Sequence, residues 1–201
     1  GYRCSVYRKL GLFKVFFLFF AFLGFEIIDI HPQIAFGATW ARTYGGAGSD
    51  YVGSIQPTRD GGYMVAGDTW SFGTAYDDIW VIKLDGNGDI EWQKTYGGQS
   101  SERFALIQET TDGGYILAAT SASFSTRDPA DWDIWILKLD GNGNIQWQRR
   151  YDNTSLYASS DYISSIAQTS DGGYIVAGDT VTQGTFGWDA WIFKLDANGN
   201  I

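Results

Sequence analysis

"DGGYMVAGDT" occupies Asp60–Thr69; it returns as "DGGYILAATS" at Asp112–Ser121 and as "DGGYIVAGDT" at Asp171–Thr180. A chain of 201 residues that writes one phrase three times is built from a repeated unit. A second phrase, "DIWVIKLDGNGDIEW" at Asp78–Trp92, recurs as "DIWILKLDGNGNIQW" at Asp133–Trp147 and "DAWIFKLDANGNI" at Asp189–Ile201. A third, "WQKTYGG" from Trp92, echoes "WARTYGG" from Trp40. Lys83, Lys138 and Lys194 stand 55 and 56 residues apart, so the unit is about 55 residues long.

Within a unit the strands follow from side-chain periodicity. "DYVGSIQPT", "ERFALIQET" and "DYISSIAQT" are first strands, predicted near 51–57, 103–109 and 162–168, with the small residues Gly53, Ala105 and Ser164 at their centres. The Asp60-Gly61-Gly62 turn suits a tight reversal, because glycine reaches positive φ without steric cost. "YMVAGDT" is then the second strand. "IWVIKL" is apolar on both faces, as in a strand covered on both sides, and "DGNG" at Asp85–Gly88 is a hairpin signal. "IEWQKTY" alternates, with Ile90, Trp92 and Tyr96 inward and Glu91, Gln93 and Thr95 outward, as a half-exposed outer strand does. A crowded first strand, a doubly buried third and an alternating fourth, at this period, read as one blade of a β-propeller. Tyr63, Tyr115 and Tyr174 then supply a ring to the packing between neighbouring blades.

The expected fold is all-β: about three four-stranded antiparallel blades after an N-terminal signal or anchor segment. The parts are a leader at 1–38, a strand at 40–46, blades at 50–96 and 102–151, and an incomplete blade at 161–201. In the leader, Arg8, Lys9 and Lys14 precede an apolar run, Val15–Phe25, too short to span a bilayer and suited to a signal peptide. "AFGA" at Ala35–Ala38 offers cleavage after Gly37, with an uncleaved anchor as the alternative; either places the repeats in a secreted or cell-surface setting. The chain stops at Ile201, where a fourth strand begins, so a fragment of a longer protein is expected. Trp40–Tyr44 is not expected to reach the strand at Trp191–Leu195, which leaves that edge unpaired.

The motifs T-x-D-G-G-Y, A-G-D-T, D-x-W, K-L-D, G-N and Y-G-G over residues 40–201 resemble those of secreted bacterial and archaeal β-propeller repeat proteins. Thr58, Asp60 and Gly62 are also similar to the Asp-box turn of sialidase-type propellers, a turn motif without a catalytic role. The resemblance implies a fold and an extracellular location, and is silent on the ligand.

Charge narrows the partners. Residues 1–38 hold four of the 14 basic and two of the 23 acidic residues, leaving ten against 21 and a net charge of −11. Such a surface repels phosphate backbones and anionic lipid, so nucleic acid is excluded and membrane contact is left to an uncleaved leader. Cys4 and His31, the single cysteine and histidine, both lie in the leader, so the repeats have neither thiolate chemistry nor a Ser-His-Asp triad. No catalytic residue, metal site or cofactor is assigned. "DGNGDIE" departs from a calcium loop, with Ile90 where glycine is needed, and reads as a hairpin. The recurring acids Asp50, Glu102 and Asp161, with Asp78, Asp133 and Asp189, ring one end and suit structural acceptors of backbone N–H groups better than metal ligands.

That end also carries the long, divergent loops, 70–76, 121–132 and 181–188, which are candidates for recognition. Their rings Trp70, Phe72, Tyr76, Phe124, Trp132, Phe186 and Trp188 are the candidate ligand-binding residues. Two functions follow: a non-catalytic extracellular binding or surface-display module for a protein or glycan, or a glycan-active or lyase-type enzyme whose catalytic residues lie in further blades.

Overall fold

The computed structural model describes residues 39–74, 76–124, 131–153, 160–181 and 187–201. They form eleven strands and, among the described residues, no helix. The leader and Phe186 lie outside the described residues. The first sheet contains β1 (Asp50–Pro57), β2 (Tyr63–Thr69), β3 (Asp78–Leu84) and β4 (Ile90–Tyr96) in chain order. The second repeats that order with β5 (Glu102–Glu109), β6 (Tyr115–Ser121), β7 (Asp133–Leu139) and β8 (Ile145–Tyr151). The third has β9 (Asp161–Gln168), β10 (Tyr174–Val181) and β11 (Trp188–Leu195). All pairs are antiparallel, as consecutive strands joined by short turns must be.

The turns explain the repeated phrase. Asp60 Oδ1 accepts from Thr58 Oγ1 at 2.5 Å and from Gly62 N at 3.0 Å, while Thr58 N donates to Gly62 O at 2.9 Å. Gly61 sits at φ +86°, the left-handed region. A Cβ on Gly62 would lie 2.2 Å from Leu84 O, so the second glycine is needed for close approach and the first for its dihedral. In "DGNG", Asp85 Oδ1 accepts from Asn87 N and Asp89 N, both at 2.8 Å, which closes a plain hairpin turn.

Two apolar layers join the sheets. Met64, Ala66, Ile79 and Val81 of the first sheet meet Ala105, Leu117, Trp135 and Leu137 of the second. The opposite face of the second sheet, with Ile116, Ile134 and Ile136, meets Val176, Phe193 and Leu195 of the third. β7, between the two layers, is buried along its whole length, and so is β3, whose other face meets Trp40 and Tyr44. The first strands crowd together: a Cβ on Gly53 would lie 2.5 Å from Ala105 O. Ile90 departs from the expected inward set. It is 44 % exposed at the start of β4, where the β3–β4 register shifts, while Trp92 and Tyr96 remain packed.

One set of contacts recurs wherever a fourth-strand sequence meets the next sheet. Trp40, Trp92 and Trp147 stand edge-on to Tyr63, Tyr115 and Tyr174, with centroids 5.9, 6.2 and 6.1 Å apart. Thus Trp40–Tyr44 packs against the first sheet as β4 packs against the second, and Trp40 and Tyr44 join the apolar layer of Val65 and Trp80. Among the described residues this segment pairs with no strand of the third sheet, and β11 stands at that sheet's edge.

Candidate functional site

At the loop end, the starts of β5 and β9 and the entries to β7 and β11 surround a groove of about 710 Å³. It is lined by Arg103, Phe104, Trp132, Tyr162, Ile163, Asp179 and Trp188, within the size range of small-molecule sites. Tyr162 is its centre. Trp132 stacks on it at 6.5 Å and 28°, Trp188 tilts against it at 5.3 Å, and Phe104 meets it edge-on at 6.1 Å. Phe104 and Trp188 are each 55 % exposed, so their faces are open to a ligand.

Phe104 holds its position through backbone geometry. Its φ of +60° makes it the single non-glycine residue in the left-handed region among the described residues. The β5–β6 register shifts between Arg103 and Leu106, and this irregularity re-aims the ring. Arg103 is fixed from the other side, with Nε donating to Asp77 Oδ2 at 2.7 Å. Its guanidinium then lies 5.6 Å from the Trp132 ring centroid, a cation–π arrangement. Asp179, exposed at the rim, accepts from Ser164 Oγ at 3.2 Å.

Of the seven rings expected from the loops, Trp132 and Trp188 come together in this groove. Phe72 and Phe124 turn inward onto Trp80 and Trp135, with centroids 5.1 and 4.8 Å apart, and so cover core tryptophans. Trp70 and Tyr76 are half exposed and lie apart from the groove lining. Phe186 lies outside the described residues. Phe104, Tyr162 and Arg103 were not among the expected residues. Arg103 and Phe104 stand where the first unit has Tyr51 and Val52, and that departure was the available signal; Tyr162 matches Tyr51 and carried none.

The recurring acids act as acceptors at the loop entries. Asp50 Oδ2 takes Gly46 N at 2.9 Å, Glu102 Oε2 takes Gly98 N at 3.1 Å, and Asp161 Oδ2 takes Asn153 N at 2.9 Å. Beside the groove the acids are denser. Asp131 and Asp133 flank Trp132 in the chain, Asp161 precedes Tyr162, and all three are 3 % exposed or less. Burial, and then the charges of Asp133, Asp152 and Asp161, push the Asp131 carboxyl up to about 6. No protein-family model matches the chain, and no curated protein matches it.

Proposed function

We propose that the chain is an extracellular, non-catalytic binding module built from β-propeller blades, and that its groove takes a glycan. The observation that carries this reading is the convergence of Phe104, Trp132, Tyr162 and Trp188, with Arg103 and Asp179 as polar margins. Exposed aromatic faces suit the C–H-rich faces of sugar rings, and the charged margins suit hydroxyl groups. The blade reading draws support from sheets that meet face to face through the same Trp–Tyr contact at each junction. Extracellular placement rests on the apolar run Val15–Phe25 behind basic residues.

A glycan array followed by calorimetric titration of the hits tests the proposal. Binding is expected to quench tryptophan fluorescence and to fall at least tenfold in Trp188→Ala, which leaves the fold intact. A folded protein that binds no glycan on the array, or a variant that binds as the parent does, overturns it.

A further inference from the structure

The junction between the second and third sheets differs chemically from the one before it. At the first junction, Asp78 and Glu102 are served by neutral donors: Thr74 N on Asp78, Gly98 N on Glu102 Oε2 and Ser121 Oγ on Glu102 Oε1. Between them in the repeat lies Gly97, whose added Cβ would sit 1.8 Å from Asp78 Oδ1 and 2.5 Å from Glu102 Oε2. A side chain at that position therefore points straight at the two carboxylates. At the second junction the chain places Asp152 there, between Asp133 and Asp161.

The consequence is a convergence of oxygens. Asp133, Asp152 and Asp161 each offer a carboxylate oxygen, and these lie within 4.8 Å of one another. Two oxygens about 2.4 Å from a shared calcium ion stand at most about 4.8 Å apart, a condition that each pair of the three meets. The Asp133 and Asp161 residues are fully buried, and the Asp152 side chain is 7 % exposed. Arg150 Nη1 lies 2.8 Å from Asp133 Oδ2 and 3.8 Å from Asp152 Oδ2 and offsets one charge.

Buried oxygens without a donor lie on two of the neighbouring acids. Among the described residues, Asp161 Oδ1 and Asp131 Oδ1 accept no hydrogen bond, although Asp161 is 0 % and Asp131 3 % exposed. A buried carboxylate oxygen with no donor is costly unless a cation or a proton meets it. We propose that Asp133, Asp152 and Asp161, with Asp131 beside them, bind a calcium ion at the junction between the second and third sheets. Calcium suits an all-carboxylate set better than magnesium, which gives up its waters reluctantly. Because Trp132 and Tyr162 adjoin these acids in the chain, the bound ion also fixes two walls of the groove. The ion site stands independently of the glycan reading, and calcium alone is its probe.

The test is calorimetric titration of the chelator-treated full chain with calcium, together with its melting temperature. One ion per chain is expected, with a dissociation constant of about 10⁻⁴–10⁻³ M, the range of extracellular modules, and a higher melting temperature on binding. Asp152→Gly, which restores what the first junction carries, and Asp161→Asn each weaken binding at least tenfold. Asp89→Asn, in the hairpin turn where later units carry Asn144 and Asn200, leaves it unchanged. Terbium, as a calcium mimic, gives Trp132-sensitised emission in the parent that calcium displaces, a readout that needs no acidic variant to fold. No heat and no melting shift at about 10 mM calcium, ten times the weak end of that range, overturns the proposal. So does undiminished binding in both Asp152→Gly and Asp161→Asn, or its loss in Asp89→Asn.

Discussion

The Tyr96 hydroxyl donates to the carbonyl oxygen of Gly143 at 2.6 Å, tying the outer strand of the first sheet to the last hairpin of the second. Tyr44 makes the same bond to Gly88 at 2.7 Å and Tyr151 to Gly199 at 2.7 Å. Burial pushes the Tyr96 phenol well above its ordinary value, so the neutral donor is the form present at any ordinary pH. Sheets that share no strand are thus held in a common spacing by one phenol per junction.

Tyr96→Phe removes that donor and strands a carbonyl in a buried site. We expect a loss of about 1–2 kcal/mol by urea denaturation. Tyr44→Phe, at a half-buried site where water can replace the phenol, costs less. Equal losses would show that burial at the junction is not what gives the bond its value.

Acid is expected to weaken the first turn. Lys83, 4 % exposed at its side chain, lies 2.8 Å from both Asp60 and Glu91. The bond from Lys83, then those from Thr58 and Gly62, hold Asp60 well below the usual carboxylate range. In the second unit burial pushes Asp112 up, but Thr110, Lys138 and Gly114 outweigh it and bring it to about 2. A carboxylate depressed in the folded state contributes stability above its unfolded value, about pH 4, and loses it as pH falls through the folded one. Lys83→Met therefore flattens, without abolishing, the fall in stability below about pH 4. Urea midpoints at neutral and acid pH check this, and an unchanged pH slope would refute it.

The two glycines of the first turn carry different penalties. Gly61→Ala must hold alanine at φ +86° with open space around its Cβ, costing about 1–2 kcal/mol. Gly62→Ala drives a Cβ against the Leu84 carbonyl, a backbone group that cannot swing aside, and costs more. Thermal denaturation of the pair gives the order, and a reversed order would mean the turn opens readily.

Variants around the groove test whether stability and the proposed recognition separate. Trp188→Ala, at a residue 55 % exposed, is expected to lose the proposed glycan binding with little change in melting temperature. Trp135→Ala, at a residue 3 % exposed, costs about 3–5 kcal/mol. Phe104→Gly relieves a left-handed backbone worth about 1–2 kcal/mol, so it is expected to gain stability while weakening binding. If Phe104→Gly destabilises the protein, the ring is there for packing and not for a ligand.

Much of the fold was legible because its signals are local. The first strands were expected near 51–57, 103–109 and 162–168, and they run over Asp50–Pro57, Glu102–Glu109 and Asp161–Gln168. Alternation, β-branched runs and glycine turns act within a few residues, so each copy of the repeat reported the same ends. Ile90 escaped because alternation states a direction and not whether a neighbour reaches that far.

The candidate site was less legible, for a physical reason. Phe72, Phe124 and Trp132 are all aromatic loop residues in the chain, yet the first two cover core tryptophans and the third lines the groove. Which face a loop ring meets depends on the path of the whole loop and on the sheet across from it, neither of which is encoded next to the residue. Tyr162 likewise becomes the centre of the groove only because β9 packs beside β5, 58 positions earlier at Phe104. The sequence by itself determined the period, the strands and the turns, since these depend on side chains a few positions apart. Only the tertiary structure decided that Asp133, Asp152 and Asp161 share one buried spot and that four rings share one groove, because both require separate sheets to meet.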